Sequence, residues 1–88
     1  MKWTVTYRPS AENDLAIIWL NGVDHAAVAH AADEIDRILG STPLDVGEAR
    51  ADSTRIIIER PLTVLYEVFP DDLIVSIHAI SYWRRHKK

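Results

Sequence analysis

Large apolar and polar side chains alternate with a period of two along Lys2-Trp3-Thr4-Val5-Thr6-Tyr7. That alternation predicts a strand with Trp3, Val5 and Tyr7 on one face and Thr4 and Thr6 on the other. Pro9 ends it, and Ser10 offers an N-cap for a helix of about three turns whose apolar stripe is Ala11, Leu15, Ile18 and Trp19. Asn21-Gly22 stops this helix. Asp24 caps a second one, with Val28, Ala31, Ala32, Ile35, Ile38 and Leu39 as its stripe and Gly40 at the position where helices end on glycine. Only Val23 separates stop from cap, so the two helices are expected to form an antiparallel hairpin.

Residues 40–53 have no sustained period and read as a long connecting loop. Three strands follow: 54–59, then 62–69 after an Arg60-Pro61 corner, then 73–80 after the tight turn Pro70-Asp71-Asp72. Such short connections predict an antiparallel meander. The expected fold class is α+β in the order β-α-α-β-β-β, with the helical hairpin on one face of a mainly antiparallel sheet. Alternation assigns Trp3, Val5, Tyr7, Ile56, Ile58, Val64, Tyr66, Val68, Val75, Ile77 and Ala79 to the face under the helices. It leaves Arg55, Ile57, Glu59, Thr63, Leu65, Glu67, Phe69, Ser76, His78 and Ile80 on a face that no remaining element covers. Ile57, Leu65, Phe69 and Ile80, with Glu67, make this second face a candidate partner surface, and it also suits a homodimer.

Length and composition narrow the classes. Eighty-eight residues make one small domain, read here as residues 1–83 followed by a short basic tail, 84–88. Cysteine is absent, which removes disulfides, zinc–thiolate sites and thiol nucleophiles. No apolar run approaches a membrane span and the N-terminus lacks a signal pattern, so a cytoplasmic protein without membrane contact is expected. The formal charge is −3, but four of the ten basic residues (Arg84, Arg85, Lys87 and Lys88) lie in the last five positions. The body keeps six bases against thirteen acids, a balance that repels nucleic acid. Trp83 with Arg84, Arg85, Lys87 and Lys88 is therefore the one nucleic-acid candidate, an aromatic joined to a cationic run.

Candidate chemistry is sparse. His25 and His30 are five apart, about 140° around a helix, and do not converge on a metal. Neither a metal nor a cofactor is expected, since no glycine-rich phosphate loop is present. His78 is a candidate general base, its unperturbed pKa of about 6.5 suiting proton transfer near neutrality.

Three segments carry a resemblance to a known family. Tyr7-Arg8-Pro9-Ser10-Ala11-Glu12-Asn13-Asp14-Leu15 leading to Ile18-Trp19, then Gly47-Glu48-Ala49-Arg50, then Pro61-Leu62-Thr63-Val64-Leu65-Tyr66-Glu67-Val68 are similar to the RelE/ParE superfamily of type II toxin–antitoxin (plasmid stabilisation) toxins. The resemblance spans Trp3 to about Arg84. It implies a growth-inhibiting toxin neutralised by a cognate antitoxin whose extended segment wraps it. The target implied is DNA gyrase for a ParE-like member, or mRNA on the ribosome for a RelE-like one. RelE-like, metal-independent cleavage uses a dense set of Lys and Arg on the open sheet face and a C-terminal tyrosine. Arg55 and Arg84 match two of those basic positions, and His78 is the substitute base; Ile57 and Thr63 stand where further bases are expected, and no counterpart of the tyrosine occurs up to Lys88. The expected function is therefore a ParE-like inhibitor acting by protein binding. The alternatives are a RelE-like endoribonuclease using His78, Arg55 and Arg84, or a non-toxic interaction module of the same fold.

Overall fold

The computed structural model describes residues 2–21, 24–51 and 53–82. Its elements are β1 (Thr4–Tyr7), α1 (Pro9–Leu20), α2 (His25–Ser41), β2 (Glu48–Ala51), β3 (Thr54–Glu59), β4 (Leu62–Phe69) and β5 (Ile74–Tyr82). They form two helices on one five-stranded sheet of order β1-β5-β4-β3-β2. The α+β class and helical hairpin are as the sequence predicts. One element was not expected: β2, a short edge strand inside the stretch read as loop.

The meander β3-β4-β5 is antiparallel, whereas β1 pairs with β5 in parallel. Parallel pairing needs a crossover, and the helical hairpin is that crossover. Asp24 caps α2 by accepting from the Ala27 amide at 3.1 Å. At the junction of the helices the His25 ring stacks on Trp19, centroids 4.1 Å apart, while His25 Nε2 lies 2.7 Å from the Trp19 carbonyl. Gly40 differs from its expected role. The helix runs on to Ser41, and buried Gly40 offers its carbonyl to the Lys2 and Trp3 amides, both at 3.0 Å. That carbonyl ties the residues leading into β1 to the end of α2.

Ser10 also does something other than cap. The N-cap of α1 is Arg8, with Pro9 at the first helical position and no side-chain cap. β1 ends at Tyr7, which leaves the C-terminal half of β5 without a neighbour on that side. There α1 takes over. The Arg8 amide donates to the Ile77 carbonyl, the Ser10 hydroxyl to the His78 carbonyl at 2.7 Å, and the Ile80 amide to Asp14 Oδ2 at 3.0 Å. Helix side chains thereby satisfy an edge whose backbone groups would otherwise be unpaired.

The core lies between helices and sheet, built from Ala11, Ile18, Val28, Ala31, Ile35, Leu39, Ile57, Leu62, Val64, Tyr66, Val68, Val75, Ile77 and Ile80. Trp3, Val5 and Tyr7 pack against its rim, as alternation predicts. Two face assignments require correction. Residues paired across a ladder share a face, and Arg55 pairs with Tyr66 and Ile57 with Val64. Hence Arg55, Ile57 and Glu59 belong to the helix side, and Ile56 and Ile58 to the other. Three successive isoleucines left that phase undetermined in the sequence, and the register with β4 decides it. In β5 a bulge makes His78 an extra residue between Ile77, opposite Tyr66, and Ala79, opposite Leu65. Beyond it the phase inverts, so Ile80 turns into the core and Ala79 to the open side.

Candidate functional site

The strands' second face is the one the helices leave alone. Across β3, β4 and β5 it carries Ile56, Ile58, Thr63, Leu65, Glu67, Phe69, Ile74, Ser76, His78 and Ala79. Ile58 is 62% exposed and Phe69 38%, while Ile56, Leu65 and Ile74 are half-buried by their neighbours. No described element lies over it. Of the apolar partner candidates, Leu65 and Phe69 are here; Ile57 (7% exposed) and Ile80 (6%) are not, having turned into the core for the reasons above. Their places are taken by Ile56 and Ile58. The V-S-I-H-A-I-S-Y run held the signal for the second correction: apolar positions 75, 77, 80 and 82 break step by one residue at His78.

One polar cluster sits on this face. Glu67, paired on either side with Thr54 and Ser76, accepts the Ser53 hydroxyl through Oε2 at 2.8 Å. Its Oε1 lies 3.1 Å from His78 Nε2. That contact is within ion-pair distance but off the line of a hydrogen bond, and Nε2 is buried without any hydrogen-bond partner. The bulge produces this arrangement, because an extra residue in β5 swings the imidazole back toward β4. Ser53 went unremarked in the sequence; its role depends on β3 pairing closely enough to set the preceding turn beside Glu67.

Arg55 is elsewhere. On the helix side, its Nε donates to the Val46 carbonyl at 3.0 Å and its Nη2 to the Gly47 carbonyl at 3.3 Å. The buried Tyr66 hydroxyl shares its proton between the carbonyls of Pro43 (2.9 Å) and Val46 (3.1 Å). Burial raises the Tyr66 pKa, and the adjacent Arg55 offsets part of that rise. Gly47 completes the assembly: at φ 74° a Cβ would stand 2.7 Å from the Ile56 carbonyl oxygen and 2.8 Å from the Tyr66 hydroxyl. The Gly47-Glu48-Ala49-Arg50 segment thus begins at a glycine required by packing, and Arg55 anchors the segment leading into β2. Arg55 and His78, expected on one face, project from opposite faces of the sheet. Arg84, the third catalytic candidate, and the nucleic-acid candidates Trp83, Arg84, Arg85, Lys87 and Lys88 lie outside the described residues.

The open face consequently has a definite electrostatic character. Among the described residues its positions on β1, β3, β4 and β5 include no Arg or Lys; Glu67 and His78 are the titratable groups at those positions, and at the β2 edge Glu48, paired with Ile56, adds another carboxylate. No helix among the described residues is long and apolar enough to cross a membrane.

No protein-family model matches the sequence, and no curated protein matches it. Solved structures do. The chain is similar to one in the RelBE2 toxin–antitoxin complex of Mycobacterium tuberculosis, at 19% identity over 93% of this chain and 92% of that one, with a TM-score of 0.77. It is similar to one in the archaeal RelE–RelB complex of Pyrococcus horikoshii, at 17% identity over 98% and 100%, TM-score 0.72. It is also similar to one in the chromosomal ParDE system of P. aeruginosa, at 18% identity over 94% and 98%, TM-score 0.70. Its architecture is therefore the RelE/ParE toxin fold, carried by a sequence less than one-fifth identical to these three.

Proposed function

We propose that this chain is the toxin of a type II toxin–antitoxin module, acting in the cytoplasm by binding a protein target and held inactive by a cognate antitoxin. The RelE/ParE fold supports the toxin–antitoxin context, since the similar structures include complexes of that kind. The observation that carries the mode of action is the open sheet face: apolar, with one Glu67–His78 contact and no described Arg or Lys on its positions in β1, β3, β4 and β5. Phosphodiester cleavage without a metal requires cations around the phosphorane, and a carboxylate at the centre of the face repels the RNA backbone. A protein surface is the better match for exposed Ile58 and Phe69. DNA gyrase is the target of first choice, as for ParE-like proteins.

A second reading rests on one contact. Glu67 Oε1 beside His78 Nε2 is the placement of a carboxylate that orients an imidazole, with Nδ1 then the proton acceptor, an arrangement that suits mRNA cleavage. Induced expression of the chain without its antitoxin, followed by primer extension on transcripts and a gyrase supercoiling assay, separates the two. Binding predicts growth arrest with intact transcripts and impaired supercoiling, abolished by Leu65→Asp and retained in His78→Ala. Transcript cleavage that disappears in His78→Ala would establish the nuclease instead. Harmless accumulation of folded protein would leave a non-toxic interaction module.

A further inference from the structure

A second surface lies in the helix layer, across the sheet from the open face. The second half of α1, residues 15–20, is apolar all the way round: Ile18 is buried, yet Ile17 is 50% exposed, Trp19 42% and Leu20 81%. Tyr7, Glu12, Leu15, Ala16, Trp19 and Leu20 line a shallow groove of about 620 Å³ along its flank. The size is that of a binding site. The spacing of Glu12, Leu15, Ala16 and Trp19 (i, i+3, i+4, i+7) gives a continuous stripe two turns long. One wall is fixed in advance, because Trp19 is stacked on His25.

The groove's charge identifies what it takes. Among its lining residues Glu12 bears the only formal charge. At its Tyr7 end the phenol donates to Asp36 Oδ1 at 2.7 Å. Asp36 and Asp33 both act on that phenol, so two further carboxylates stand close by. An apolar trough with acidic groups on its margin selects an apolar segment bordered by cations. Ala16 leaves room for a large side chain between Glu12 and Leu20, in the manner of a helix laid in a groove.

We infer that the α1 groove is a docking site for a short amphipathic segment of another polypeptide, its apolar face on Leu15, Ala16 and Trp19 and its flanking lysines or arginines facing Glu12, Asp33 and Asp36. The site stands apart from the toxin reading and from the open sheet face. The test is titration of the ¹⁵N-labelled full chain with an amphipathic leucine–lysine helix of roughly four turns and with its leucine–glutamate twin. The lysine peptide is expected to shift the amides of Leu15, Ala16, Trp19 and Leu20 and to bind at least about tenfold tighter than the glutamate peptide, a difference set by charge. Ala16→Phe fills the groove from an exposed position without altering charge, and should weaken binding at least about tenfold. Leu65→Ser, on the other side of the sheet, should leave it unchanged, and circular dichroism of both variants checks that they are folded. Equal affinity for the two peptides, shifts elsewhere, indifference to Ala16→Phe, or no binding would each overturn the inference. So would concentration-dependent self-association that Ala16→Phe abolishes, which would make a second copy of the chain the occupant.

Discussion

Val64 and Leu65 are neighbours in sequence and lie on opposite faces of the same strand. Val64 is 1% exposed, beneath the helices and flanked by Ile57 and Ile80; Leu65 is half-buried, flanked by Ile56 and Ala79, with nothing above it. Both faces present aliphatic side chains, so composition alone does not distinguish them. The difference is closure. On one side the molecule supplies its own cover and fills it with Tyr66, Leu39 and Val28. On the other it stops at the strands, and the remaining polar groups (Ser53, Glu67, His78) are arranged with one another rather than with a core. Burial inside the chain makes a residue structural, whereas the same residue type one position along is left for intermolecular contact.

The sharpest way to break this comparison is to place a carboxylate on each neighbour. Val64→Asp would bury an unpaired charge and is expected to cost at least about 4 kcal/mol, close to the whole stability of a domain this size. Leu65→Asp keeps its charge in contact with water and should change the urea midpoint by no more than about 1 kcal/mol equivalent. Equal losses would mean that the open face is closed in solution.

A smaller effect tests whether the helix side extends to the segment leading into β2. Gly47→Val meets both a left-handed backbone and two oxygen atoms under 3 Å away. A loss of about 2–4 kcal/mol is expected in thermal or chemical unfolding. A neutral result would show that Tyr66 does not hold this segment in solution.

The smallest effect is a dependence on pH confined to the covered side. Burial, with the hydrogen bond to Asp36 and the charge of Asp33, raises the Tyr7 pKa, and burial raises that of Tyr66. Both phenols hold their protons more firmly folded than unfolded. Their contribution is therefore complete below the ordinary tyrosine value of 10.0 and is lost as pH climbs above it. Urea midpoints should be insensitive to these groups from pH 7 to 9 and decline beyond about pH 10. Tyr7→Phe should lower stability by about 1–2 kcal/mol at neutral pH and lessen the alkaline decline. An unaltered decline in that variant would assign the effect to other groups.

Much of the architecture was legible in the sequence because local chemistry fixed it. Asp24 as a cap, the Pro70-Asp71-Asp72 turn and the alternation of Trp3, Val5 and Tyr7 each depend on a few adjacent residues. The site was less legible because it depends on register. Ile56-Ile57-Ile58 satisfies either phase, and only pairing with Tyr66 and Val64 turns Arg55 inward. β2 was hidden for a related reason: Glu-Ala-Arg-Ala has little strand preference of its own, and it pairs because Gly47 and Arg55 deliver it to the edge of β3. The exposed flank of α1 was misread as stripe, since Trp19 is apolar and correctly spaced but rests on His25 rather than on the sheet.

Position 78 carries two separable burdens. Its imidazole is chemistry, removable by substitution with the strand left in step. Its presence as one additional link is geometry: excise it, and Ala79 follows Ile77 directly, the ladder with β4 closes into unbroken alternation, and Ala79, Ile80, Ser81 and Tyr82 keep the sides they now occupy. Removing this link would therefore be read by the molecule as a local loss, as replacing it would, while adding a second one beside it would be read as an inversion of everything as far as Tyr82.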